Sequence, residues 1–462
     1  MERYDLVTIG SGPAGEKGAA QAAYFGHKVA VVDRQARPGG APVNSGGIPT
    51  KTLREAATYL TSFGKREIYG VGIGLTPDLM VDRLRARAAE VQEAMGAAVR
   101  QNLERHNIDY IVGEATLRDG GVAVTLPSGD QQMLEAKVIL ISTGSRPFRP
   151  PGIPFDDPDV HDSDTILDMD RIPESMVVIG AGPVGAEYAS IFTALGVSVT
   201  VIDMSERMAP FLDVEVSELL RTYMEEGGSR VLLGTTGEVS RSDGRLQVKL
   251  GNGEILHPEV VLFAAGRVGN TEELSVKEAG VECDERARIL VDEEYRTTTD
   301  GIYAAGDVIG PPALASVSSE QGRVAICHAF GIPFKEAIDP TPPYGVYTIP
   351  EVGMVGMTEE VATAAGIDYE VGRSWFVDNS RSAIAGSPAG FIKLVLNRED
   401  RRLIGAHIIG EEAAELVHQA QAVIHTRGTI DYFIDSTYNV PTRSEAFKYA
   451  AYNALQRLAG SA

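Results

Sequence analysis

The sequence has little cysteine: its 462 residues include only Cys283 and Cys327, which lie far apart. Two distant cysteines exclude a disulfide framework and a CxxC metal motif, and such scarcity is typical of the reducing cytoplasm, where we expect this protein. The eight histidines are scattered, so no metal site is predicted. Long hydrophobic runs are also missing. No apolar stretch reaches 18 residues, and Met1 leads almost directly into a predicted first strand, so neither a membrane span nor a signal peptide is expected.

Basic residues are scarce relative to acidic ones. Lysine and arginine total 42 against 64 aspartates and glutamates, which gives a formal net charge of −22. A body this acidic repels nucleic-acid phosphates and anionic lipid headgroups, so neither is an expected partner. Hydrophobic residues make up 44% of the chain, which excludes disorder as its main character, and the length predicts about three domains.

Glycine, in contrast, is abundant, and part of it belongs to a repeat. Residues 5–33 and 176–203 each read as an apolar run, a Gly-x-Gly-x-x-Gly turn, an alanine-containing stretch and a second apolar run that ends in aspartate. In both copies the acid follows the middle glycine by 21 residues. The repeated residues are Gly10, Gly12, Gly15 and Asp33, then Gly180, Gly182, Gly185 and Asp203. Two copies in a strand–turn–helix–strand context predict two Rossmann-like dinucleotide-binding domains.

Each glycine has a distinct task in such a turn. The first allows the tight turn, the second lets the backbone approach a pyrophosphate, and the third lets the helix pack closely on the strand. The helix N-terminus offers free N–H groups to the phosphates, and the acid accepts hydrogen bonds from ribose hydroxyls. Two such folds predict two dinucleotides. A flavin and a nicotinamide nucleotide form the expected pair, with hydride passing between them.

The rest of the chain is organised around this repeat. Residues 80–106 have the periodicity of a long amphipathic helix, and residues 110–140 read as strands and turns. Buried strands are predicted near 255–266 and 302–307. After the prolines at 340–343 the pattern changes to strands and helices without a nucleotide fingerprint, which predicts a third domain. The predicted fold class is therefore α/β, with two Rossmann-like domains and an α+β C-terminal domain.

Several motifs resemble those of the flavoprotein pyridine nucleotide-disulfide reductases, and the resemblance covers the whole chain. It rests on the two fingerprints and on GG at 39–40, IPTK at 48–51, STGSRP at 142–147, AGD at 305–307 and PTRSE at 441–445. Within that family, the chain most resembles the soluble pyridine nucleotide transhydrogenases, which move hydride from one nicotinamide to the other through FAD. The stretches that carry this closer resemblance include GRVGNT at 266–271, YTIPE at 347–351 and GTIDYF at 428–433.

The resemblance implies cofactors and a domain plan. In that family the first fingerprint binds FAD, the second binds NAD(P)H, and the C-terminal domain forms a homodimer. For this chain it implies an FAD-binding domain of residues 1–148 and 270–338, an NAD(P)H-binding domain of residues 149–269, and a dimerisation domain of residues 339–462.

The resemblance also assigns roles to single residues. Lys51 is expected to approach the flavin N5 and to pair with Glu187, and we predict both as catalytic, since positive charge beside a flavin that gains negative charge favours hydride acceptance. Asp33 is expected to hold the FAD adenosine ribose, and Asp307 the ribityl chain. Cofactor-binding roles are predicted for Gly10, Gly12, Pro13, Ala14, Gly15, Asp33, Arg34, Gly40, Lys51, Thr143, Gly144, Gly180, Gly182, Gly185, Asp203, Arg207, Gly266, Arg267, Gly306, Asp307 and Ala315.

The sequence differs from the family at the positions that carry the family's redox-active cysteines and the histidine that serves them. Family members carry two cysteines in a GGxCxxxGCIPSK segment, and Pro42 and Gly47 occupy those positions. The family's C-terminal histidine is replaced by Val440. Without a dithiol there is nothing for that histidine to protonate, so the losses are chemically consistent. We interpret Cys283 and Cys327 as structural.

Asp203 bears on the choice of nicotinamide nucleotide. A carboxylate there accepts a hydrogen bond from the 2′-hydroxyl of NAD(H) and repels the 2′-phosphate of NADP(H) by on the order of a few kcal/mol. Arg207, four residues later, would offset part of this repulsion by pairing with the phosphate. The sequence therefore favours NADH and leaves NADP(H) possible.

The main functional hypothesis is an FAD-dependent oxidoreductase that accepts hydride from NADH and passes it to a second nicotinamide nucleotide. One alternative is an NADH dehydrogenase that reduces a quinone or another small acceptor, because small residues at Pro42 and Gly47 would leave room beside the flavin. The other alternative is an FAD-binding protein without turnover.

Overall fold

The computed structural model describes residues 2–61, 77–119 and 121–460 as a mixed α/β chain. Within these ranges the strands are β1 (Glu2–Ile9), β2 (Val29–Asp33), β3 (Asp109–Val112), β4 (Glu114–Arg118), β5 (Gly121–Thr125), β6 (Gln131–Ile141), β7 (Ser145–Pro147), β8 (Val160–Asp162), β9 (Ser175–Ile179), β10 (Ser198–Ile202), β11 (Arg230–Leu232), β12 (Gly237–Ser242), β13 (Arg245–Leu250), β14 (Ile255–Leu256), β15 (Val260–Phe263), β16 (Arg267–Gly269), β17 (Ile302–Ala304), β18 (Tyr344–Val346), β19 (Val352–Gly356), β20 (Tyr369–Trp375), β21 (Gly390–Asn397) and β22 (Leu403–Gly410). The α-helices are α1 (Pro13–Tyr24), α2 (Gly40–Asn44), α3 (Ile48–Thr61), α4 (Pro77–Arg105), α5 (Pro183–Ala194), α6 (Val214–Glu226), α7 (Ala315–Ala329), α8 (Glu359–Ala364), α9 (Ser380–Ala385), α10 (Ala413–His425), α11 (Asp431–Asp435) and α12 (Glu445–Gly460).

The first sheet is ordered β3-β2-β1-β6-β5-β4, and β17 also pairs with β6. Strands β3, β2, β1, β6 and β17 are parallel, whereas β4, β5 and β6 form an antiparallel meander. The parallel strands are nearly continuous apolar runs because both of their faces are buried. Pro13 begins α1, where its missing N–H leaves no hydrogen bond unmade, and the alanines of this helix pack into the core.

The second sheet repeats this design. Its order is β11-β10-β9-β15-β8, and all of its strands are parallel. Pro183 begins α5 as Pro13 begins α1, so β9–α5–β10 is a second copy of β1–α1–β2. The antiparallel β12-β13-β14 sheet packs against it through a core that includes Val177, Val239 and Val248. The antiparallel pair β7 and β16 joins the segments that run between the two sheets.

The third sheet is antiparallel and ordered β18-β19-β22-β21-β20. Successive side chains of β21 enter different cores, as expected from the period of two along a strand. Ile392 packs with residues of α10 and α12, such as Val417 and Phe447. Phe391 instead belongs to the core of the second sheet, together with Met208 and Leu220. The second and third sheets therefore share one hydrophobic core.

The structure confirms the main elements read from the sequence. Both strand–turn–helix–strand repeats are present, and strands occur at Val260–Phe263 and Ile302–Ala304. The predicted long helix is α4, which begins at Pro77, three residues earlier than expected, and ends at Arg105. The domain boundaries stay predictions, and the FAD-domain range includes residues 1, 62–76 and 120, which lie outside the described residues.

Candidate active site

A cavity of about 1540 Å³ lies where the three sheets meet. Its lining comes from both glycine turns, from α3 and α7, and from the C-terminal segment 338–347. Predicted residues that line it are Gly10, Gly12, Pro13, Ala14, Asp33, Arg34, Gly40, Lys51, Thr143, Gly144, Gly182, Gly266, Arg267, Gly306, Asp307 and Ala315. The other predicted residues, which do not line it, are Gly15, Gly180, Gly185, Glu187, Asp203 and Arg207. One space thus joins most of the residues that the sequence singled out.

Packing within the chain requires glycine at the first and third positions of each fingerprint. Gly10 has a φ of +100°, and a Cβ there would lie 2.4 Å from the Ser142 carbonyl oxygen. A Cβ on Gly15 would lie 1.9 Å from the Gly10 oxygen, and one on Gly185 would lie 1.8 Å from the Gly180 oxygen. These contacts leave no room for a side chain, so helix and strand pack as closely as the motif predicts.

The middle glycines have no such neighbour. A Cβ on Gly182 would meet nothing within 4 Å, and one on Gly12 would meet only the Gly40 Cα, at 3.9 Å. Each of these glycines precedes the first residue of α1 or α5, and neither helix has a side-chain cap on its N-terminal N–H groups. The free N–H groups and the open space suit a pyrophosphate, so both turns fit dinucleotides.

The two fingerprint acids hold the same position in their turns. Asp33 Oδ2 accepts from the Ser11 N–H at 2.7 Å, and Asp203 Oδ2 accepts from the Ala181 N–H at 2.6 Å. The other oxygen of each carboxylate accepts from the N–H two residues later, at 2.9 Å and 2.7 Å. A carboxylate has about four acceptor positions, so each acid fastens its glycine turn and keeps capacity for a ribose hydroxyl.

Other predicted FAD contacts lie at the ends of β6 and β17. Thr143 Oγ donates to the Asn270 carbonyl at 2.7 Å, and the Asn270 side chain donates back to the Thr143 carbonyl at 3.0 Å. Asp307 accepts from the Ser145 and Ser318 hydroxyls, both at 3.3 Å. These bonds are long, so the Asp307 carboxylate keeps acceptor capacity toward the cavity. Arg267 donates to Ser145 at 2.8 Å and 2.7 Å, which holds this loop in place.

Lys51 and Glu187 form an ion pair between α3 and α5. The Lys51 Nζ to Glu187 Oε2 distance is 2.6 Å, and the side chains are 33% and 8% exposed. Glu187 Oε1 accepts from the Tyr347 N–H at 2.9 Å, and Lys51 Nζ lies 4.9 Å from the centre of the Tyr347 ring. The lysine ammonium is therefore held by a carboxylate on one side and an aromatic ring on another, with part of it open to the cavity.

A second buried pair lies one turn further along α3. Arg54 Nη1 is 2.8 Å from Glu351 Oε1, and both side chains are about nine-tenths buried. Burial raises the pKa of the Glu351 carboxyl above its usual range, although Arg54 opposes this effect. Segment 347–351 is thus bound to α3 through Arg54 and to α5 through Glu187, which fixes the Lys51 surroundings from the C-terminal domain.

Sulfur takes no part in the cavity. A Cβ on Gly47 would lie 2.7 Å from both the Pro42 Cα and the Pro42 oxygen, so the two positions that carry cysteines in related proteins are in direct contact. Pro42 and Gly47 both line the cavity, and the expected room for a small acceptor beside them stays a prediction. Cys283 and Cys327 do not line the cavity formed by the described residues, and burial raises the pKa of both thiols.

Arg207 is occupied by other partners. Its guanidinium donates to both carboxylate oxygens of Glu360 at 3.0 Å and 3.1 Å, and to the Pro210 carbonyl oxygen at 2.6 Å. The predicted contact between Arg207 and a 2′-phosphate requires the guanidinium to leave Glu360, and it stays a prediction.

Some cavity residues carried no signal that placed them at the site. Tyr347 is separated from Lys51 by almost 300 residues, and no spacing rule connects them. Asp164 also lines the cavity, its Oδ1 is buried without a hydrogen-bond partner among the described residues, and burial raises its pKa. His418 faces the same space from α10 and bonds to Gln421 at 3.0 Å.

The described residues include neither a helix suited to a bilayer nor a cluster of metal-ligating side chains. None of the helices in these ranges combines the length and the apolar character that a bilayer crossing needs. No group of three or more histidine, cysteine, aspartate or glutamate side chains in these ranges could hold a metal ion.

Comparison with known proteins agrees with this arrangement. The family described as pyridine nucleotide-disulphide oxidoreductase matches residues 4–322, and its dimerisation domain matches residues 342–451. A soluble pyridine nucleotide transhydrogenase of Mycobacterium bovis is 42% identical, with 99% of this chain and 98% of the relative covered. One of Colwellia psychrerythraea is 38% identical, with 98% of each covered.

Solved structures agree as well. LpdA from Mycobacterium tuberculosis is 27% identical with a TM-score of 0.89, and 98% of this chain and 99% of LpdA are covered. The HOCl-induced flavoprotein disulfide reductase RclA from Escherichia coli is 27% identical with a TM-score of 0.87, and 97% and 99% are covered. The chain therefore belongs to the pyridine nucleotide-disulphide oxidoreductase family, which confirms the predicted family, the fold class and the pairing of FAD with a nicotinamide nucleotide.

Proposed function

We propose that this protein transfers hydride between nicotinamide nucleotides by way of FAD, as a soluble transhydrogenase. The observation that carries the proposal is a nucleotide cavity without a thiol, next to an intact Lys51–Glu187 pair. Relatives up to 42% identical over nearly their whole length bear the name soluble pyridine nucleotide transhydrogenase. Hydride exchange between nucleotides needs neither a disulfide nor an acid that protonates a thiol. A site without thiols is therefore suited to it.

Residues of this chain bind the nucleotides and place a positive charge at the cavity. The turns at Gly12 and Gly182 receive the pyrophosphates, and Asp33 and Asp203 accept hydrogen bonds from the riboses. FAD, when bound, supplies a two-electron carrier that accepts and returns hydride. Lys51 presents a fixed positive charge to the cavity, which favours the negative charge that develops with hydride acceptance.

Glu187 holds the Lys51 side chain in position. Its Oε2 lies 2.6 Å from the Lys51 Nζ, and its second oxygen is fixed by the Tyr347 N–H. The pair thus holds the positive charge of Lys51 at one place beside the cavity.

The nucleotides use one site in turn. The sequence holds a single nicotinamide-type fingerprint besides the one assigned to FAD, so the donor leaves before the acceptor binds. NADH is the favoured donor, because Asp203 suits a 2′-hydroxyl and Arg207 is bound to Glu360. A homodimer is proposed from the dimerisation domain at residues 342–451, and a cytoplasmic location stays a prediction from the low cysteine content.

The direct test uses thionicotinamide analogues. FAD-loaded protein is mixed without oxygen with NADH and thio-NADP⁺, and separately with NADPH and thio-NAD⁺, while thionicotinamide reduction and the flavin band are followed. Thionicotinamide reduction is expected in both pairings, with weaker binding of the nucleotide that carries the 2′-phosphate. A flavin that NADH bleaches but that cannot reduce thio-NADP⁺ contradicts the proposal and favours a quinone or another small acceptor. A flavin that neither nucleotide reduces favours binding without turnover.

A further inference from the structure

The loop after β10 contains one cation and several carboxylates. Arg207 is the only lysine or arginine between Ser198 and Leu220, whereas Asp203, Glu206 and Asp213 are acidic. Within this loop, Arg207 is therefore the one basic residue that could form an ion pair with a 2′-phosphate near Asp203. Among the residues of this loop, it is also the one whose charge could offset the repulsion between Asp203 and that phosphate.

The loop is fastened to the nucleotide-binding turn. The Ala209 N–H donates to the Ala181 carbonyl at 2.8 Å, and the Ala181 N–H donates to Asp203 Oδ2 at 2.6 Å. Ala181 lies between the first two glycines of the second fingerprint. The backbone two residues after Arg207 is thus bound to the second glycine turn, which keeps this loop beside the predicted nucleotide site.

Glu360 comes from a different domain. It lies in the first turn of α8, and its carboxylate binds the Arg207 guanidinium through both oxygens, a geometry that fixes the guanidinium plane. The neighbouring Glu359 is 2.5 Å from Lys393 Nζ, and that lysine is buried. Thr358 caps the helix through the Val361 N–H. Because α8 is anchored in these ways, Glu360 stays in place opposite Arg207.

We propose that Glu360 is a positioning residue that sets the choice between NAD(H) and NADP(H), by holding the Arg207 guanidinium away from the adenosine 2′-position. The inference rests on the proposed function, since it concerns the nucleotide site of that reaction. Removing the Glu360 charge leaves the guanidinium bound to the Pro210 carbonyl oxygen alone among the partners described above, and so makes its charge available to a 2′-phosphate. The dimerisation domain thereby takes part in nucleotide selection.

The test measures binding rather than turnover. FAD-loaded full-length protein is titrated calorimetrically with 5′-AMP and with adenosine 2′,5′-bisphosphate, which differ only at the 2′-position. E360Q is expected to bind the bisphosphate roughly fivefold more tightly, as for a partly exposed ion pair, with 5′-AMP affinity unchanged. The gain is expected to shrink as KCl is raised, because a guanidinium–phosphate contact is screened by salt.

A matched control separates this effect from a general change in charge. Glu254 forms a bidentate pair with Arg230, at 2.7 Å and 3.0 Å, elsewhere in the nicotinamide-type domain. E254Q removes the same charge and is expected to leave the affinity ratio of the two ligands unchanged. The proposal is wrong if E360Q leaves that ratio unchanged, if both ligands shift equally, or if E254Q gives the same gain. None of these results depends on hydride transfer, so the thionicotinamide assay can fail or succeed independently.

Discussion

Gly182 and Gly185 meet different demands although they lie in the same turn. G182A places a methyl group where the chain has nothing within 4 Å, so we expect an unchanged melting temperature. The methyl group occupies the space intended for the nicotinamide nucleotide, and NADH affinity is expected to fall about tenfold, or 1.4 kcal/mol. G185A brings a Cβ to 1.8 Å from the Gly180 oxygen and is expected to cost about 1–3 kcal/mol of stability. Thermal melts and equilibrium NADH titrations measure the two effects.

The first fingerprint provides the control for this comparison. A Cβ on Gly12 meets only the Gly40 Cα at 3.9 Å, whereas one on Gly15 collides with the Gly10 oxygen. G12A is expected to lower FAD retention without loss of fold, and G15A to destabilise the protein. If G12A and G182A lower the melting temperature as much as G15A and G185A, the middle glycines serve packing rather than ligands.

Lys51 offers a test of charge at the site. K51M removes the ammonium and leaves the Glu187 carboxylate, 8% exposed, without its partner. We expect the rate of flavin reduction by NADH to fall on the order of 100-fold, as when one preorganised electrostatic group is removed. Anaerobic stopped-flow absorbance of the flavin band measures this rate.

Lys17 supplies the matched control, because its ammonium lies 2.7 Å from Glu16, whose side chain is also largely buried. K17M makes the same chemical change away from the Lys51–Glu187 pair and is expected to leave the rate unchanged. Equal rates in K51M and wild type, with FAD content preserved, would remove Lys51 from the catalytic role.

Residue roles were predictable where the partners are close in sequence. The glycines and the acid of each fingerprint lie within about 25 residues, so their spacing alone indicates the turn, the helix and the ribose contact. Tyr347 contacts Lys51, and Glu360 contacts Arg207, across more than 150 residues. Such contacts depend on how domains pack, which no local pattern encodes.

At the scale of elements, segment 347–351 binds α3 through the buried Arg54–Glu351 pair. R54M leaves Glu351 buried without a counter-charge, which is expected to cost about 3–5 kcal/mol. The folded-state pKa of Glu351 is already raised, and loss of Arg54 raises it further. A carboxyl of this kind favours the folded state below its unfolded pKa and loses that contribution as pH rises through the folded value. Urea unfolding is therefore expected to show a larger loss in R54M at pH 7.5 than at pH 5.

An equal loss at both pH values would contradict this account of Glu351. E351Q provides the second variant, because it removes the titrating group while keeping similar volume. The double variant R54M/E351Q is expected to be more stable than R54M at pH 7.5, and its loss relative to wild type is expected to vary less with pH.

Elements were largely predictable from periodicity and turn chemistry. Prolines 13 and 183 mark the first positions of α1 and α5, and continuous apolar runs mark the buried parallel strands. The short α2 and its end at Asn44 were not expected. Gly46 and Gly47 follow this helix, and the close approach of Gly47 to Pro42 is a matter of three-dimensional packing rather than of helix propensity.

For the whole molecule, the shared core predicts coupling between the nicotinamide-type domain and the C-terminal sheet. Phe391 packs in the core of the second sheet, whereas its neighbour Ile392 packs against α10 and α12. F391A is expected to cost about 3–5 kcal/mol and to speed amide hydrogen exchange in residues 176–202. I392A is expected to destabilise the C-terminal domain with a smaller effect on those amides. Hydrogen exchange followed by mass spectrometry makes the comparison, and equal effects of the two variants would contradict a shared core.

The three-part organisation was visible in the sequence, but the joint core was not. The second fingerprint and the change of pattern after residue 340 predict separate units. Packing of Val346, Val352 and Ile409 with Met208 and Leu212 joins those units in one core. An apolar residue in a predicted strand indicates that this side chain is buried, but it does not indicate which domain supplies the neighbouring side chains.

The contact between Gly47 and Pro42 also bears on attempts to engineer a redox disulfide into this segment. A cysteine introduced at position 47 brings a Cβ to 2.7 Å from the Pro42 backbone, so this substitution alone must displace the chain. A cysteine introduced at position 42 alone has no partner with which to form a disulfide. A disulfide here therefore requires both substitutions together with a new backbone path between them.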